Sequence, residues 1–67
     1  MTNTELLQNA ISNSGLKVSF IARRLNISRQ CLHGRLCGTT EFKGSEIKEL
    51  CNLLNLDIKD KERIFFA

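Results

Sequence analysis

The chain has 67 residues, with ten Lys and Arg against seven Asp and Glu, a net charge of +3 and a pI near 9.0. A chain this short folds as one domain and buries only about 60% of its unfolded surface, which leaves little room for a catalytic cavity and argues against an enzyme. At 42% hydrophobic and 25% charged it is too apolar for a disordered tail, so a single folded domain over 1–67 is expected.

The composition of four Gly, four Phe and no Pro, Trp or Tyr suits helices better than sheets, so an all-α fold is expected. Cys31, Cys37 and Cys51 are odd in number and not closely spaced. No apolar leader follows Met1, and no apolar run approaches the roughly 20 residues of a membrane span. The expectation is a reduced, cytoplasmic protein without membrane association.

The charge is unevenly placed. Residues 17–43 carry +5, from Lys17, Arg23, Arg24, Arg29, Arg35 and Lys43 against Glu41, while 1–16 and 44–67 each carry −1. Local positive charge attracts polyanions over about a Debye length, so the middle third is where a nucleic-acid surface is sought. A solvated soluble face is the competing explanation when charge alone is considered.

In chain order, Leu6, Leu7, Ala10 and Ile11 recur at helical spacing behind a capping Thr4, predicting a first helix over about 5–13 that ends at Asn13-Ser14-Gly15. Val18, Ile21, Ala22 and Leu25 predict a second over 18–25, with Arg23 and Arg24 on its far side. Ser28 is the N-cap of a third, about 28–37, whose apolar stripe is only Leu32 and Leu36; Arg29, Gln30, His33 and Arg35 point mostly elsewhere. A loop over 38–44 follows, with Phe42 turned inward as an anchor. Ser45 is expected to cap a fourth helix, about 45–54, carrying Ile47, Leu50, Cys51 and Leu54. Asp57 caps a last segment, about 58–66, ending in Ile64, Phe65 and Phe66.

The informative stretch is about 17–37. Two short helices joined by Leu25-Asn26-Ile27-Ser28, with the small Ala22 on the inner face of the first, have the spacing of a helix-turn-helix. Two steeply crossed helices leave room only for a small side chain at the crossing, and Ile21, Leu25, Ile27 and Leu32 form the wedge between them. The second helix of such a unit fits the DNA major groove.

On these residues the chain resembles the lambda-repressor-like helix-turn-helix family, the Cro, C1 or XRE type. Ile27-Ser28-Arg29-Gln30-Cys31-Leu32, Arg35-Leu36 and Thr40-Glu41-Phe42-Lys43-Gly44-Ser45-Glu46-Ile47 are similar to small prophage-encoded transcriptional regulators of low-GC Gram-positive bacteria. The likeness covers about residues 5–66. It departs from the family at Asn26, where Gly is usual but Asn tolerates positive φ, and at Val18, where relatives often place a phosphate-contacting Gln.

The resemblance implies a compact five-helix DNA-binding domain, with the helix-turn-helix formed by helices two and three. It implies sequence-specific binding to a double-stranded DNA operator in transcription regulation, as a phage or prophage Cro-like protein or repressor, in the nucleoid of a bacterial host cell. By position in the motif, Arg29, Gln30 and Gly34 correspond to the base-reading positions, with Ser28 and His33 beside them. Arg can bridge O6 and N7 of guanine, and Gln N6 and N7 of adenine. Lys17, Ser19, Thr39, Thr40 and Lys43 flank the helix as phosphate candidates. Gly34, with no side chain, either permits close approach to the groove or is a weak point in the helix.

The plainer readings are a solvated helix face for Arg29 and Gln30 and a solvent-facing neutral His33. Cys31, His33 and Cys37 match structural zinc spacings poorly, Cys51 is most simply a core residue, and neither metal, cofactor nor small-molecule ligand is expected. There is also no catalytic constellation or glycine-rich phosphate loop. Ile64, Phe65 and Phe66 either pack on the chain's own core or form a two-fold contact, and a homodimer at least on DNA is expected. The alternative function, from another class, is a protein-interaction module such as an antirepressor built on this fold.

Overall fold

Helices of eight to eleven residues are marginal alone and persist only when their apolar faces meet. The computed structural model of the chain describes residues 2–66, and among them forms five helices and no strand. They are α1 (Thr4–Ser14), α2 (Val18–Leu25), α3 (Arg29–Leu36), α4 (Gly44–Leu54) and α5 (Ile58–Phe65). The all-helical, five-helix architecture is the one expected. No helix among the described residues is long and apolar enough to cross a membrane.

One cluster of buried side chains joins all five helices: Leu7 and Ile11 from α1, Ile21, Ala22 and Leu25 from α2, Leu32 and Leu36 from α3, Leu50 from α4, Ile64 and Phe65 from α5. Phe42 enters from the loop between α3 and α4 and meets Phe65 edge to face, ring centres 5.9 Å apart. α2 packs on α3 and α4, while α1 packs on α3, α4 and α5. Among the last residues, Ile64 and Phe65 turn into this core and Phe66 stays 61% exposed. Of the cluster whose packing the sequence left open, Ile64 and Phe65 are therefore core residues and Phe66 is exposed.

Helix ends follow from single side chains. Asn3 caps α1, its Oδ1 accepting from the Leu6 N–H at 3.1 Å. Thr4, expected to be that cap, is already helical. Ser28 and Asp57 cap α3 and α5 as expected, accepting from the N–H groups of Cys31 and Asp60. At α4 the expected cap Ser45 lies inside the helix, which begins at Gly44 with Lys43 as the flanking residue. Lys43 has no side-chain acceptor, and Glu46 reaches back to its N–H at 3.0 Å.

α2 stops because Asn26 takes the left-handed conformation, φ 62°, so that the Asn26 and Ile27 N–H groups satisfy the carbonyls of Arg23 and Ala22. Gly38 at φ 84° does the same for α3, passing the Gly38 and Thr39 N–H groups to Arg35 and Gly34. α3 ends a residue earlier than the sequence suggested, and α5 likewise, at Leu36 and Phe65.

Truncation of Phe42 removes the one buried side chain of the α3–α4 loop. Phe42→Ala should destabilise the domain by about 3–5 kcal/mol, whereas Phe66→Ala should change stability by less than about 0.5 kcal/mol, both read from urea denaturation followed by circular dichroism.

Candidate functional site

α3 is anchored from one side. Leu32 and Leu36, four residues apart, are buried, which leaves Arg29, Gln30 and His33 exposed, with Ser28 exposed at the cap and Gly34 half-buried. A helix held by so narrow a stripe presents most of its circumference outward. The C-terminal end is tied to α1 as well, where Gln8 Nε2 donates to the Leu36 carbonyl at 2.9 Å.

Arg35 does not join that outward face. Its Nε donates to Glu46 Oε1 at 2.8 Å, and the two side chains keep only 13% and 6% of their exposure. The sequence reading grouped Arg35 with the outward residues, and the correction lies in Glu46, the buried charged residue that reading missed. Glu46 stands one turn before Leu50 on the inward side of α4, and a carboxylate on a core stripe asks for a partner.

The local charge is redistributed accordingly. Of the six cations in 17–43, Arg35 is paired with Glu46 and Arg24 with Glu49 at 2.9 Å, both acids belonging to α4. Lys17, Arg23, Arg29 and Lys43 make no ion pair among the described residues and are exposed. Three of them flank or begin helices: Lys17 precedes α2, Arg29 opens α3 and Lys43 precedes α4. Each of those N-termini adds unsatisfied N–H groups of positive partial charge.

Around α3 the other expected residues line more than one groove. Ser19 and Arg23 of α2 share one with Ser28 and Arg29. Thr40 lines a second with Gln30, Gly34 and Arg35, and Ser28 borders this one too. His33 lies on another side, beside Val18, Gln8 and Leu16. Thr39 is tied by its backbone to Gly34, and Lys17 and Lys43 stand at the starts of α2 and α4 with no side-chain cap hydrogen bond or ion pair among the described residues. The structure thus groups Ser19 and Arg29, and Gln30, Gly34 and Thr40, with Ser28 lining both grooves, but puts His33 apart from them.

His33 Nε2 and Cys37 Sγ are 3.5 Å apart, and no third His, Cys, Asp or Glu joins them in a metal-binding group among the described residues. The cysteines differ in environment. A hydrogen bond from the Ser28 side chain, helped by Arg35, holds the exposed Cys31 thiol below the usual thiol range. Burial against the core pushes Cys51 up.

Comparison of the chain with models of protein families, with characterised proteins and with solved structures finds no match in any of the three.

A Cβ on Gly34 would meet only Thr40 Oγ1, at an ordinary 3.8 Å. Gly34→Ala should therefore raise stability by up to about 1 kcal/mol through helix propensity, measured by thermal and urea unfolding. Cys31 should alkylate ahead of Cys51 with iodoacetamide near neutral pH, as read by peptide mass spectrometry. The sign follows from the two shifts: lowering the Cys31 pKa enlarges its thiolate fraction at a given pH, and raising that of Cys51 shrinks it.

Proposed function

We propose that the protein is a sequence-specific double-stranded DNA-binding regulator of transcription, of the lambda-repressor-like helix-turn-helix type, with α3 lying in the major groove. The observation that carries the reading is the exposed polar face of Ser28, Arg29 and Gln30 on a helix buried only through Leu32 and Leu36, in a domain whose exposed cations Lys17, Arg23, Arg29 and Lys43 make no ion pair among the described residues. A helix about 10–12 Å across fits a major groove about 12 Å wide, and the turn at Asn26 sets α2 behind it.

In this reading Arg29 and Gln30 read base edges, and Ser28, His33 and Gly34 lie against the groove. Lys17, Ser19, Thr39, Thr40 and Lys43 contact phosphates, which set register without reading sequence. Arg23, unpaired beside Ser19 and Arg29, joins that second group. Two copies on one duplex, each covering a half-site about 34 Å from the other, give a single small motif useful affinity. The exposed Phe66 and Ile58 of the α5 region offer apolar surface for such a pairing. The proposal extends to a phage or prophage regulator working in the bacterial cytoplasm on the nucleoid, without catalysis.

The experiment is selection from a pool of random duplexes at two salt concentrations, followed by titration of the recovered site. Arg29→Ala should weaken binding to that site by about 1–3 kcal/mol and relax the base preference at one position. Lys43→Ala should weaken binding to all sequences alike and reduce the slope of log affinity against log salt by about one. Unchanged affinity in Arg29→Ala would refute the recognition role of α3. Salt-insensitive or absent DNA binding by the intact protein would favour a protein-interaction module instead.

A further inference from the structure

α3 and α4 each pack on α1 and α2, but they share at most a marginal backbone contact with one another. Among the described residues, the one hydrogen-bonded link between the two helices is a single carboxylate. Glu46 Oε1 accepts from Arg35 Nε at 2.8 Å and from the Lys43 backbone N–H at 3.0 Å, joining the last turn of α3 to the entry of α4. Arg35 Nη1 also reaches back one turn along α3 to the Cys31 carbonyl, at 3.4 Å.

The pair costs solvation that its mutual attraction barely returns, and a buried ion pair is often no more stabilising than two apolar side chains of similar volume. Its geometry is what two apolar side chains would not reproduce. The planar guanidinium and the carboxylate fix a direction as well as a distance, whereas apolar contacts slide. What they fix is the segment from Cys37 to Lys43, which carries Thr39, Thr40 and Lys43. Thr39 is bonded to the end of α3, Phe42 is seated in the core, and Lys43 is held by Glu46.

We propose that Arg35 and Glu46 are positioning residues that determine sequence specificity: they set where Arg29 and Gln30 stand relative to Thr40 and Lys43. The inference rests on the DNA-binding reading above. Base readers carried by α3 and phosphate contacts carried by the following segment meet one rigid duplex at once. A tilt of α3 against α4 therefore lets phosphate contacts form while base contacts miss, leaving general affinity and losing preference.

The test is the double variant R35M/E46L, which removes one positive and one negative charge and so leaves the net charge unchanged. Backbone residual dipolar couplings read the orientation of α3 against the other four helices, and titrations read affinity for the selected site and for random duplex. The expected result is a cooperative unfolding transition, α3 couplings that no longer fit the wild-type orientation, and a preference for the selected site reduced about tenfold or more with random-duplex affinity little changed. Wild-type α3 couplings, or an undiminished preference, would overturn the proposal. Glu46→Asp keeps the charge but is one methylene too short to serve Arg35 and Lys43 together, so it repeats the test should the double variant not fold. An undiminished preference in that folded variant would overturn the proposal too. If the wild-type protein selects no site, the DNA-binding reading fails, and unaltered α3 couplings in the variants would independently refute the positioning role.

Discussion

Leu32 is the fixed point of this domain. It is fully buried midway along α3, in the cluster of side chains that all five helices share, and α3 packs on α1 and α2. With Leu36 it supplies all the apolar burial α3 has, so α3 stays in place only because these two contacts are complete. The narrowness of the stripe explains the supports around it. Gln8 holds the Leu36 carbonyl, Ser28 the Cys31 amide, and Arg35 the flank toward α4. A helix with a broader apolar face would need none of these, and would have fewer positions free for another molecule.

Termination is the second organising constraint. α2, α3 and α4 are each closed by a residue in the left-handed region: Asn26, Gly38 and Asn55. Asparagine performs at two of these sites what glycine does at the third, with a smaller entropic loss on folding. The turn at Asn26 leaves only Ile27 and Ser28 before α3 starts, so the entry of α3 is set directly by the exit of α2.

Much of the architecture was legible because it rests on periodicity and on side chains that act within a few residues. The bounds of α2 follow from Val18, Ile21, Ala22 and Leu25, the cap at Ser28 from its hydroxyl, and the inward Phe42 from its isolation in a polar loop. Thr4 and Ser45 show the limit of such local signals. Each is a good capping residue, but the chain entered the helix one or two residues earlier, at Asn3 and at Lys43, where Asn3 and Glu46 could satisfy the first amides. Arg35 and Glu46 were illegible for another reason. Nothing in the period of α3 distinguishes an arginine facing solvent from one facing a carboxylate eleven residues away, and only the packing of both helices on α1 and α2 brings them together. For the outward face the sequence supplied the residue types, while the structure divided them into two groups and set His33 apart.

The backbone of Asn3 donates to the carbonyl of Ile64, so the first and last helices meet at their outer ends. The two ends of the described chain are thereby neighbours, sixty-one residues apart along it and one hydrogen bond apart in space. The other backbone hydrogen bonds outside the helices span five residues or fewer, so this closure carries the largest loop-entropy cost among them. It also makes the domain topologically close to a ring: a brief linker from residue 66 to residue 2 could close the circle, and new ends could be opened in the exposed turn near Thr39 and Thr40 while the five helices kept their places.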